Sequence, residues 1–111
     1  MTQQELFKHL EALGFPIAYS HFECDEQTKA PNPPFIVYFE VGRSDVIADN
    51  KVYASNASYA LELYTDSKDL EAEQKVEDKL NELELPFTKD EQYISSERLY
   101  QVYYEFEIIG G

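Results

Sequence analysis

His21, Glu23 and Cys24 fall within four residues of one another, and imidazole, carboxylate and thiolate are all zinc ligands. A tetrahedral zinc site draws about four ligands to one point, about three of them protein groups where the metal is catalytic. Three groups this close along the chain are too local to close such a set alone. His9 stands apart from them, one helical turn from Glu5. Cys24 as a nucleophile would need a neighbouring base and a positive surrounding. It is instead flanked by Glu23, Asp25 and Glu26. Carboxylate pairs such as Glu105 and Glu107 invite a general acid–base reading, which requires a pocket that drives two pKa values apart. With 22 Asp and Glu in 111 residues, adjacent pairs arise by chance. Of the four glycines two are Gly110 and Gly111, so no glycine-rich phosphate loop exists. These residues predict no catalytic centre, no cofactor and no metal.

The charge balance is the outlying property. Twenty-two acids against nine Lys and Arg give −13 and a pI near 4.3. Nucleic-acid binders gain affinity by setting Lys and Arg against phosphate; this chain repels phosphate and, for the same reason, anionic lipid surfaces. Hydrophobic residues at 43% and aromatics at 14% supply a core, which excludes a disordered acidic tail. A chain of 111 residues fits one domain, 1–111. The lone Cys24 argues against a disulfide-built secreted domain. Met1 to Glu5 lacks the basic start and apolar run of an export signal. No apolar run approaches the roughly 18 residues of a membrane span. The expectation is a protein made and used in a cytoplasm.

Any interaction surface has to be positioned by the elements the pattern predicts. Thr2-Gln3-Gln4-Glu5 is a capping box. Leu6, Leu10 and Leu13 follow at helical spacing, and Gly14 and Pro16 end a helix over roughly residues 3–13. Residues 17–22 read as a short strand and 23–34, with Pro31, Pro33 and Pro34, as a surface loop. Phe35 to Val41 is a β-favouring run ended by Gly42. Residues 43–51 form a loop or projecting hairpin with its turn at Asp49-Asn50, and Tyr53 to Thr65 resumes as strand. Asp66 or Ser67 caps a second helix, whose stripe is Ala72, Val76, Leu80 and Leu83. Phe87 to Tyr93 is an edge strand. Leu99 to Ile109 puts Tyr100, Val102, Tyr104, Phe106 and Ile108 on one face and Gln101, Tyr103, Glu105 and Glu107 on the other. The predicted class is α+β, order α-β-β-β-α-β-β, with two helices on one face of a mainly antiparallel or mixed sheet of four to five strands.

Nine tyrosines cluster in the strands, and Tyr38, Tyr64 and Tyr103 are assigned to wet or mixed faces. Tyrosine carries an apolar body and a polar tip and is favoured at protein interfaces.

An ordered series of segments then spans nearly the whole chain. It runs through residues 5–7, 13–14 and 16–22 (Pro-Ile-Ala-Tyr-Ser-His-Phe), then 33–38 (Pro-Pro-Phe-Ile-Val-Tyr) and 48–53 (Ala-Asp-Asn-Lys-Val-Tyr). It continues through 62–65, 68–69, 93–94, 96–97 and 100–106 (Tyr-Gln-Val-Tyr-Tyr-Glu-Phe). This series resembles small prophage proteins of Gram-positive bacteria encoded among head–tail joining genes. The resemblance implies a tail-terminator or tail-completion role, as in long-tailed phages. Such proteins form a ring, usually hexameric, that ends the tail tube and faces the head connector. The implied partners are the tail-tube protein, the connector protein and further copies of the chain. The implied places are the host cytoplasm during assembly and then the virion. Within that frame the polar, turn-containing segment with Arg43, Asp45, Asp49, Asn50, Lys51 and Tyr53 is the expected subunit interface. Residues 66–84 hold eight acids and three lysines, and Glu73, Glu77 and Asp78 are the expected lining of a DNA channel. The competing expectation is an acidic DNA mimic that inhibits a DNA-binding host protein.

Overall fold

A computed structural model describes residues 1–24, 29–48 and 51–109; of 45–48 and 51–55 the strand backbone alone is described. The elements are α1 (Gln3–Glu11), β1 (Ile17–Tyr19), β2 (Phe35–Ala48), β3 (Lys51–Thr65), α2 (Leu70–Glu82), β4 (Phe87–Ile94) and β5 (Leu99–Ile109). They form a mixed five-stranded sheet in the order β1-β2-β3-β5-β4. β1 runs parallel to β2, and every other neighbouring pair is antiparallel.

α1 begins as its sequence dictates. Thr2 accepts from the Glu5 amide at 3.2 Å and the Glu5 carboxylate accepts from the Thr2 amide at 3.2 Å, so two otherwise orphaned donors are satisfied. Gly14 takes φ +89 just beyond the helix, a conformation open to glycine at no steric cost. α2 differs from expectation at both ends. Its cap is Asp69, not Asp66 or Ser67, with the Asp69 carboxylate accepting from the Ala72 amide at 3.0 Å. It stops without a glycine. Glu84 takes φ 57, and its amide and that of Leu85 donate to the Asn81 and Leu80 carbonyls at 3.0 and 2.9 Å. Those two bonds satisfy the last turn's carbonyls, and Leu85 and Leu80 enter the core together.

Both helices pack on one sheet face. The core joins Leu6 and Leu10 of α1 and Ala72, Val76 and Leu80 of α2 to the sheet side chains facing them. Leu13 and Leu83 lie partly buried against it. The β5 face of Val102, Tyr104, Phe106 and Ile108 is buried as predicted. Tyr38 is not on a wet face. It is 4% exposed, stacked on Phe7 and edge-on to Tyr19, because it alternates in phase with Ile36 toward the helices.

Gly42 does not end β2. The ladder passes a bulge between Glu40 and Gly42, and β2 continues to Ala48 opposite β3. A second irregularity leaves Tyr53 without a Cα partner between Val46↔Ala54 and Ile47↔Val52. β5 pairs with β3 only from Asn56 to Thr65. The ladder of 43–48 with 51–57 is therefore largely a two-stranded ribbon running on past the sheet, and the molecule measures 51 × 31 × 25 Å.

Candidate functional site

The second helix and the edge strand share an ionic layer. The Glu73 side chain is 3% exposed, and Lys68 and Lys89 reach it at 2.8 and 2.9 Å. Lys89 also meets Glu77 at 2.9 Å, Lys68 meets Glu91 at 2.8 Å, and the Tyr104 hydroxyl donates to Glu77 at 2.8 Å. Burial opposes ionisation of Glu73, but the bonds from Lys68 and Lys89 outweigh it and hold the carboxyl below its ordinary range. The same bonds hold both lysines above theirs. Tyr104 is raised by burial first and by its bond to Glu77 second. Glu73 is thus an internal counter-ion, and Glu77 is tied to it through Lys89. A carboxylate enclosed by lysines presents little field to a passing polyanion, so Glu73 and Glu77 do not stand as bare acids lining a surface. Of the three, only Asp78 is exposed, where it accepts from Gln74 at 2.7 Å.

The ribbon holds the expected interface residues. Arg43 is exposed and pairs with Glu40 at 3.2 Å. Asp45 is placed opposite Ser55 and Lys51 opposite Ala48, and Tyr53 sits at the bulge. Asp49 and Asn50 lie outside the described residues. The segment is the projecting hairpin of the two forms expected.

His21 contacts Glu23 at 3.2 Å and the Ser20 hydroxyl at 3.3 Å, all at the surface. The exposed Cys24 thiol donates to the Phe22 carbonyl at 3.5 Å. Among the described residues no three His, Cys, Asp or Glu converge as a metal-binding group, and no helix is long and apolar enough to cross a membrane.

The sheet's other face carries no helix among the described residues. The register places Phe35, Tyr64, Gln101 and Gln92 in one row across it, and Val37, Glu62, Tyr103 and Asp90 in the next. Gln101 is the hub. It donates to Glu62 at 3.0 Å and to the Tyr64 hydroxyl at 2.8 Å, and accepts from Gln92 at 2.6 Å. Tyr64 in turn donates to Glu62 at 3.0 Å. Burial, ahead of the Gln101 bond that opposes it, pushes the Tyr64 hydroxyl up to about 12. Two hollows open beside this network. One of about 280 Å³ is lined by Asp90, Glu91, Gln92, Gln101 and Tyr103. The other, of about 350 Å³ at the start of β4, is lined by Ser58, Pro86, Phe87, Thr88, Glu105, Phe106 and Glu107.

Scanned against protein-family models and against curated proteins, the chain matches none.

The strand alternation places Tyr64, Tyr103, Glu105 and Glu107 on the open face, as read from sequence, the first three half-buried and Glu107 exposed. The Gln101 hub was not legible there. It depends on the register of β3, β4 and β5, which no local pattern states.

Proposed function

We propose that the protein is a non-catalytic phage assembly protein that caps the tail tube as a ring and joins it to the head connector. One observation carries the reading beyond the ordered resemblance: the β2–β3 ribbon leaves the body of the fold. A two-stranded ribbon with no further layer is marginally stable in water, so an arm of this kind gains its stability from whatever it lies against. A neighbouring copy in a ring supplies that surface through a heterologous contact, in which two different patches meet. Arg43, Asp45, Lys51 and Tyr53 on this arm are then the contacting residues. The charge of −13 per copy opposes association at low salt. The working protein is therefore a monomer when dilute and a ring at high concentration, at high salt or on tubes. It acts in the host cytoplasm during assembly and afterwards at the head–tail junction.

The test combines sedimentation across salt with electron microscopy of tail tubes incubated with the purified protein. Rings seated on tube ends, lost when residues 44–54 are replaced by a two-residue turn, are expected. An isologous dimer that never caps tubes overturns the reading and favours an acidic mimic of DNA acting on a basic host protein.

A further inference from the structure

The helix-free face is one-sided in charge as well as in packing. By register it presents Glu62, Asp90, Glu105 and Glu107, and among the strand residues whose side chains are described none on it is a lysine or arginine. Five of the nine Lys and Arg are engaged elsewhere. Lys68 and Lys89 are paired with Glu73, Glu77 and Glu91. Lys79 pairs with Glu82 on α2, Lys75 lies 5.6 Å over the Phe15 ring, and Arg43 bonds Glu40. The face is also not a plain solvated surface. Phe35 stacks on Tyr64 at 5.1 Å, and Ile109 at the end of β5 is 70% exposed.

We propose that this face docks a basic, partly aromatic surface of another protein, with an arginine side chain entering the hollow beside Tyr103. Charge decides the occupant. A second copy fits it poorly, because face-to-face stacking of chains of net −13 would oppose like carboxylates. Nucleic acid is excluded by the same sign. A basic protein surface meets four carboxylates that form no ion pair among the described residues, although Glu62 already accepts from Gln101 and the Tyr64 hydroxyl.

The hollow selects arginine by its donors' needs. Asp90 supplies a carboxylate and Gln92 an amide oxygen, and the Tyr103 side chain lines the same hollow. A guanidinium is planar, carries five donors in a fork and stacks on aromatic rings, whereas an ammonium is a hydrated point charge. A second hollow at the start of β4, lined by Pro86, Thr88, Glu105 and Glu107 among others, lies on the same edge. Arginine and aromatic residues are the side chains that dominate protein interfaces. The inference does not depend on the terminator reading; it names the chemistry of a partner surface whatever that partner is.

The probe is the peptide acetyl-Arg-Phe-Arg-amide at millimolar concentration, followed on the full chain by amide chemical-shift mapping. The control replaces each arginine by citrulline, which keeps the shape and loses the charge. Shifts are expected at Asp90, Gln92, Gln101 and Tyr103, and they vanish with the citrulline peptide. The Asp90→Asn/Glu105→Gln variant weakens binding about tenfold, the worth of roughly one charge-assisted contact. Its α2 amides report that the fold is kept, and Glu107→Gln serves where they do not. Shifts centred on the exposed acids of α2, shifts equal for the two peptides, affinity unchanged in the variants, or no shift on the face would each overturn the proposal.

Discussion

Lys89 and Glu73 meet at 2.9 Å across the boundary between the edge strand and the second helix, with the carboxylate almost fully enclosed. Glu73→Ala removes the shared partner of Lys68 and Lys89. The expected cost is about 1–3 kcal/mol, less than the ~3–5 kcal/mol of a fully buried pair, because both ammonium groups can turn to water. Urea unfolding at neutral pH measures it. A change below about 0.5 kcal/mol, the range of ordinary surface substitutions, would show that the layer contributes nothing.

The same layer sets a pH window. The Glu73 carboxyl is held below its ordinary 4.5, so its contribution is present above that value and is lost as the pH falls through the lowered one. Lys68 and Lys89 are held above 10.5, so theirs is complete below that value and is lost as the pH rises through the raised ones. The difference in stability between the wild type and Glu73→Gln should therefore be flat between about pH 5 and 10 and shrink outside it. Taking the difference cancels the relief of self-repulsion that protonating the other acids brings.

Tyrosine ionisation offers an independent check on the open face. Tyr64 is raised from 10.0 to about 12, so the neutral phenol favours the folded state below pH 10 and that preference is lost as pH climbs toward 12. In a phenolate absorbance titration, Tyr64→Phe should remove a late-titrating component. Loss of an ordinary component instead would place the Tyr64 hydroxyl in water.

Leu80 is fully buried, while Leu70 at the start of the same helix is 69% exposed. Leu80→Ala should cost roughly 2–5 kcal/mol, and Leu70→Ala should stay within about 0.5 kcal/mol. Equal denaturation midpoints for the two variants would remove α2 from the core.

The ends of α2 supply the last comparison. Asp69→Ala should cost about 0.5–2 kcal/mol by freeing the Ala72 amide, and Ser67→Ala close to nothing. Glu84→Gly should stabilise by about 1 kcal/mol or less, since Glu84 holds a left-handed conformation that side chains disfavour. Thermal unfolding of the three variants ranks them, and a harmful Glu84→Gly would refute the account of the helix stop.

The element order, the apolar stripes of both helices and the inward face of β5 were legible because each is a local periodicity. The capping box at Thr2 was legible because its partner is three residues away. Asp69 was missed as a cap because Asp66, Ser67 and Asp69 are equally able acceptors, and tertiary packing chooses among them. Gly42 was misread as a terminator, since a bulge lets the ladder absorb a residue that sequence alone reads as a break. Glu73 was read as a channel-lining acid from the excess of acids over residues 66–84, a count that carries no information on burial. Its burial depends on Lys89, sixteen positions onward in another element. Replacing Glu73, Glu77 and Asp78 together by lysine would therefore disrupt the fold, whereas Asp78→Lys alone probes the helix surface.

The ribbon and the sheet share a single continuous strand. β3 runs from the arm into the body, where ten of its residues, Asn56 to Thr65, are laddered to β5 while β2 flanks its other edge. A tug along the arm therefore loads those bonds sideways and all at once, in shear, rather than peeling them one after another. A handle anchored in this way passes tension to the centre of the sheet without opening it.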